Sequence, residues 1–158
     1  MPSTLSPAAT MPPAPLSRPI LVRSLGDALA AAAAAVSAGV GLALMAPPAG
    51  GALWLLGLME RVRQAHPGLD VTGLLDCGDR AGEAQGALAA GVPNLLFTGR
   101  PEAARRLAAI AEAGGATLLT ACPPFLDVAG RHRTEGRGSG RRDLLEALCR
   151  DWLTGSEG

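Results

Sequence analysis

Residues 71–97 read Val71-Thr72-Gly73-Leu74-Leu75-Asp76-Cys77-Gly78-Asp79-Arg80-Ala81-Gly82-Glu83-Ala84-Gln85-Gly86-Ala87-Leu88-Ala89-Ala90-Gly91-Val92-Pro93-Asn94-Leu95-Leu96-Phe97, one complete strand–turn–helix–turn–strand unit. Val71 to Leu75 is an apolar run of strand length behind the breaker Pro67-Gly68. Asp76-Cys77-Gly78-Asp79 is a turn, Arg80 to Ala90 is predicted helical, and Gly91 supplies the left-handed cap that glycine tolerates best. Leu95-Leu96-Phe97 is the next strand. The same unit recurs on both sides. Upstream, Ile20-Leu21-Val22 is a short strand, and Ser24-Leu25-Gly26-Asp27 is a capping box that opens an alanine-rich helix reaching about Ala38. Gly39 closes it, and Val40 to Met45 is a strand ended by Pro47-Pro48. A helix over Ala52 to Ala65 stops at His66-Pro67-Gly68. Downstream, Pro101-Glu102 opens a helix that ends at Gly114-Gly115, and Thr117 to Ala121 is a fifth strand.

Ala38-Gly39-Val40, Ala90-Gly91-Val92 and Ala113-Gly114-Gly115 each close a helix and precede an apolar strand, so the chain reads as stacked βα units. Strands this apolar need cover on both faces, and right-handed crossovers make them parallel. The expectation is an α/β domain over residues 20–128, with about five mostly parallel strands in a doubly wound sheet. The alternative is a half (βα) barrel of four units, whose open edges a partner would cover. Residues 1–19 carry six prolines and no basic segment before an apolar run, which reads as a disordered leader and not a signal peptide. Residues 129–142 are predicted to be a flexible basic linker, since Arg131 to Arg142 holds five arginines, His132 and three glycines against the single acid Glu135. A second capping box, Asp143-Leu144-Leu145-Glu146, begins an amphipathic helix over 143–154.

Composition narrows the chemistry. The formal net charge is zero, all fourteen basic residues are arginine, and tyrosine is absent. Without lysine there is no Schiff-base chemistry, no pyridoxal-phosphate attachment and no P-loop lysine. Few acid–base side chains remain, which favours binding over catalysis. Nucleic acid is disfavoured as a partner, because the charge is balanced and the arginine run has no aromatic residues for stacking. Three cysteines without a CxxC pair suit a reducing compartment, hence the cytoplasm. Ala28 to Met59 contains no charged residue, but Gly39, Gly41, Pro47, Pro48, Gly50 and Gly51 interrupt it, against a membrane span. The excess of Ala, Gly, Pro and Arg points to a GC-rich bacterial genome.

In parallel α/β folds ligands gather beyond the C-terminal strand ends. That rule selects Ser24, Asp76, Cys77, Gly78, Asp79, Thr98, Arg100 and Cys122 as ligand-binding candidates, with the Asp76-Cys77-Gly78-Asp79 turn the richest. Two carboxylates beside a thiol at a helix start could hold a divalent cation or lower the thiol pKa. The plainer reading has Asp79 capping the helix, Asp76 anchoring the turn and Cys77 filling space. Gly78, Gly82 and Gly86 leave one helix face bare, for close approach of a phosphate or tight packing on a neighbour. His66, at a helix end, and His132 complete no catalytic arrangement.

Leu75-Asp76-Cys77-Gly78-Asp79, Gly82, Ala90-Gly91-Val92 and Leu107-Ala108-Ala109-Ile110-Ala111, with Val22-Arg23-Ser24-Leu25 before and Pro123-Pro124-Phe125-Leu126-Asp127 after, resemble a group of small uncharacterised bacterial α/β proteins that share the Asp-Cys-Gly-Asp turn. The resemblance implies the domain limits and no activity. The function expected is a non-catalytic ligand-binding or assembly module, a small anion being one possible ligand. A homodimer or another protein would be held through Leu145, Leu148 and Trp152 of the C-terminal helix. The alternative is a small metal-assisted lyase or hydrolase acting on a carboxylated or phosphorylated metabolite, with Asp76 and Asp79 holding the metal.

Overall fold

The computed structural model describes residues 14–128 and 139–155. After a 3-10 turn over Ala14–Ser17 come β1 (Ile20–Leu21), α1 (Leu25–Ala38), β2 (Leu42–Ala46), α2 (Ala52–Ala65), β3 (Val71–Asp76), α3 (Ala81–Ala90), β4 (Asn94–Leu96), α4 (Pro101–Gly114), β5 (Thr117–Leu119), β6 (Leu126–Asp127) and α5 (Ser139–Thr154). Gly39 and Gly91 cap their helices as expected, and at the Gly114-Gly115 helix end it is Gly115 that takes the cap; all three sit at positive φ (74°, 99° and 78°). The capping box of α1 forms, with Ser24 Oγ accepting from the Asp27 N–H and Asp27 Oδ2 accepting from the Arg23 N–H, each at 3.0 Å.

All strand pairings are parallel, in the order β5-β4-β3-β2-β1-β6. From β1 to β5 each strand is added on the same side of the last. Right-handed crossovers taken always in one direction put every helix on one face. The expected parallel α/β sheet is therefore present, but its winding is the half-barrel one and not the doubly wound one. Both sheet faces are apolar, which is why sequence alone suggested helices on both. Ile20, Leu44, Leu75, Leu95 and Phe97 face the helices and share one core with them. Leu21, Met45, Leu74 and Leu96 lie on the other face and cluster with one another and with Leu16 of the 3-10 turn. Curling the sheet lets this second set meet itself without a second helix layer.

The link from β5 to β6 requires such curling. A flat sheet would place its two edge strands about 24 Å apart, five spacings of roughly 4.8 Å. Only residues 120–125 join them, with bends at Thr120 and Ala121; even fully extended, that stretch reaches about 25 Å.

Two corrections concern the chain ends. The leader is not wholly outside the domain, since Leu16 is buried against the inner face; residues 1–13 lie outside the described set. The basic linker is shorter than expected, because α5 begins at Ser139 and takes in Arg141 and Arg142. Asp143 therefore lies inside the helix and caps nothing, while residues 129–138 lie outside the described set. A sixth strand, unforeseen, pairs with β1 through Ile20–Leu126 and Leu21–Asp127. With it, α5 becomes the helix of a sixth βα unit, packed beside α1. This neighbour explains the alanines of α1: Ala28, Ala30, Ala31, Ala32, Ala34 and Ala35 are all buried, since a helix enclosed between sheet, α2 and α5 needs small side chains. The uncharged run 28–59 is thus interior helix, interior strand and half-buried helix. Among the described residues no helix is long and apolar enough to cross a membrane.

Candidate functional site

The C-terminal strand ends form one rim, where the loops after β3 and β4 are stitched together. Cys77 N–H donates to the Leu96 carbonyl at 2.9 Å, and Thr98 N–H to the Gly78 carbonyl at 2.8 Å. The fit is close enough to require Gly99, whose Cβ would stand 2.6 Å from the Phe97 ring and 3.1 Å from the Asp79 Cα. Asp76 anchors the turn as expected, its Oδ1 accepting from the Gly78 N–H at 2.9 Å, and Gly78 takes φ +55°. Asp79 does not cap α3. The N-cap is Arg80, without a side-chain cap bond, and its guanidinium donates instead to Glu83 at 2.8 Å.

Cys77 lies on the helix side of the sheet and is fully buried. Strand alternation sends residues 71, 73, 75 and 77 to one face. Burial first, then the Glu83 carboxylate, pushes its thiol up to about 11, with Asp76 adding to the rise. The lowered thiol pKa considered for the turn is therefore not realised. Cys122, by contrast, is exposed at the rim, its thiol raised by partial burial and by Asp76, which places the β5–β6 link near the end of β3. Thr98 and Arg100 are exposed too, Arg100 as the N-cap of α4 without a side-chain cap bond. The rim thus brings together Asp76, Gly78, Asp79, Thr98 and Cys122. Ser24 stands apart at the start of α1, occupied in its cap. Among the described residues no three His, Cys, Asp or Glu side chains converge as a cation site. Of the expected bare stripe, Gly78 lies before α3 and a Cβ there would meet the Arg80 guanidinium, while Cβ atoms at Gly82 and Gly86 would meet open space among the described residues.

Leu145 and Cys149 are buried in the domain's own core, and Leu148 and Trp152 pack against it. The face that sequence offered to a partner is filled within the chain. A reciprocal clasp fixes its end: Trp152 Nε1 donates to the Arg18 carbonyl at 3.1 Å, and Arg18 Nη1 to the Trp152 carbonyl at 2.9 Å, with the guanidinium 5.0 Å from the ring centroid. Sequence reading also missed the Arg23–Asp127 ion pair at 2.5 Å, which ties the loop after β1 to β6. It missed buried Asn94 as well, whose Nδ2 donates to Thr72 Oγ1 at 2.8 Å and to the Gly73 carbonyl at 2.7 Å. Asn94 in an apolar strand was a legible signal, because a buried amide must find partners. At the opposite edge, the α1–β2 and α2–β3 turns enclose a cleft of about 630 Å³. No family model and no curated protein matches the chain.

Proposed function

We propose that this chain is a non-catalytic binding or assembly module working in a bacterial cytoplasm, akin to the small α/β proteins that share its Asp-Cys-Gly-Asp turn. The observation that carries the reading is Cys77: the nucleophile of the richest turn faces the core and keeps its proton up to about 11. A buried, protonated thiol is a poor nucleophile and a poor metal ligand. Of the carboxylates that act on it, Asp76 accepts from the Gly78 N–H and Glu83 pairs with the Arg80 guanidinium. Three free thiols suit a reducing compartment. A small anion would find the uncapped start of α4 with Thr98 and Arg100 beside it. Asp79 and Glu102 nearby would keep such binding weak.

Metal analysis of the purified full chain is the test, and the expected result is no stoichiometric divalent ion. An ion present in equal amount and lost in both Asp76→Ala and Asp79→Ala would overturn the reading in favour of the metal-assisted lyase or hydrolase. Titration with inorganic phosphate tests the ligand class. A saturable rise in melting temperature, weakened in Arg100→Ala, is expected; no rise removes the anion from the proposal.

A further inference from the structure

Three segments meet beside the starts of β1 and β6: the turn that leads into β1, the link from β5 to β6, and the last turn of α5. Ser17, Arg18, Pro124 and Trp152 line a cleft of about 410 Å³ there. Each wall is fixed from behind. Leu16 is buried on the inner face of the sheet, the Leu126 N–H donates to the Pro19 carbonyl at 3.1 Å just past Pro124, and the Arg18–Trp152 clasp holds the helix end. The clasp also occupies polar atoms of the cleft, the indole N–H on the Arg18 carbonyl and Arg18 Nη1 on the Trp152 carbonyl. What remains to be covered is the half-buried Trp152 ring beside the exposed Pro124.

Such a surface selects an occupant that is apolar, uncharged and poor in N–H donors, since a donor buried there would go unpaired. Proline-rich segments meet those terms. Their rings hold the extended polyproline form in advance, so little entropy is lost on stacking against an aromatic face. A segment of this kind is joined to the cleft itself: residues 1–13 carry four prolines and no charged side chain, and Met11-Pro12-Pro13 runs directly into Ala14. From Ala14 to the cleft wall at Ser17 is one 3-10 turn, about 6 Å at roughly 2 Å per residue. We propose that Met11-Pro12-Pro13 of the same chain seats on Trp152 and Pro124 in this cleft, a strap that ties the start of the chain to the end of α5. Between separate molecules a proline–tryptophan contact is weak. A tether of a few residues raises the effective concentration to about the mM range, which keeps a weak site filled. Met11 supplies an adaptable thioether for the edge of the indole. The strap shields the clasp from water and is independent of the function proposed above.

Acrylamide quenching of tryptophan fluorescence tests the strap on the full chain. Trp54 stands at the rim and Trp152 at the cleft, so a change made in residues 1–13 registers through Trp152. With Pro12→Gly and Pro13→Gly together, the quenching constant of Trp152 should roughly double while circular dichroism stays that of the wild type, because a flexible, ringless tether no longer keeps the seat filled. Pro2→Gly, far upstream of the seat, should match the wild type. The protection of Trp152 should not depend on protein concentration. Equal quenching in the wild type and the double variant overturns the inference. So does protection that rises with protein concentration, which would give the seat to another copy.

Discussion

Replacing Leu145 with alanine tests whether α5 belongs to the domain or to a partner. Leu145 is 3 % exposed, on the face of α5 that meets α1 and the common core. Truncating a fully buried leucine costs about 2–5 kcal/mol, the spread reflecting how far neighbours relax into the space. Here the wall opposite is the alanine-rich α1, whose short side chains cannot swing in to fill a hole, so the upper half of that range is expected. Against a total stability of about 5–15 kcal/mol this is a large fraction, and for a chain of this length it corresponds to a fall in melting temperature of about 5–15 °C. Leu144, one residue earlier and 45 % exposed, is the internal control; Leu144→Ala should lie within about 0.5 kcal/mol of the wild type. The assay is urea unfolding at two protein concentrations tenfold apart. A helix docked within its own chain makes the cost of Leu145→Ala the same at both concentrations, whereas one stabilised by a partner makes that cost grow with concentration. The reasoning fails if Leu145→Ala costs no more than Leu144→Ala, or if the midpoint moves with concentration in a way that Leu145→Ala abolishes.

The thiols should react in order of exposure: in native protein at pH 8, Cys122 should be alkylated first, and Cys77 and Cys149, held up to about 11 and about 12 by burial, should stay unmodified until unfolding. Because the folded chain keeps those protons above the ordinary thiol value of 9.0, stability should fall as pH rises from about 9 towards 11, measurable as a dropping urea midpoint. Gly82→Ala and Gly86→Ala should each raise stability by about 0.5–1 kcal/mol, since both sit inside α3 with open space at the Cβ; a loss in thermal unfolding would mean that the bare stripe touches something. Ser24→Ala should cost about 1 kcal/mol by removing the acceptor for the Asp27 N–H, read in the same unfolding assay.

What the sequence determined by itself is the local grammar. The glycines at 39, 91 and 115 were legible as caps because only glycine takes positive φ without strain. Ser24 and Asp27 were legible as a capping box because their spacing alone lets them satisfy the first N–H groups of a helix. Apolar strands alternating with helices then required a parallel sheet, and the rule that ligands gather at the strand C-termini placed the rim, with Asp76 anchoring its turn. The burial of Cys77 was also within reach, since strand alternation puts it on the face of Leu75.

Tertiary structure decided the rest, because each remaining feature depends on pairing between distant segments. Two apolar sheet faces admit two windings, and strand order chose between them. Leu126–Asp127 is too short to declare itself and is a strand only because β1 lies beside it. Without β6, the last helix looks like an appendage seeking a partner; with it, the same residues complete a βα unit, and Leu145 and Cys149 have a place in the core. Leu16 joined the domain on the same grounds, its sequence neighbourhood rich in proline, its spatial neighbourhood Leu21, Met45, Leu74 and Leu96. Periodicity records which side of an element is apolar; what covers that side depends on where the chain returns, and that is set by contacts far apart in sequence.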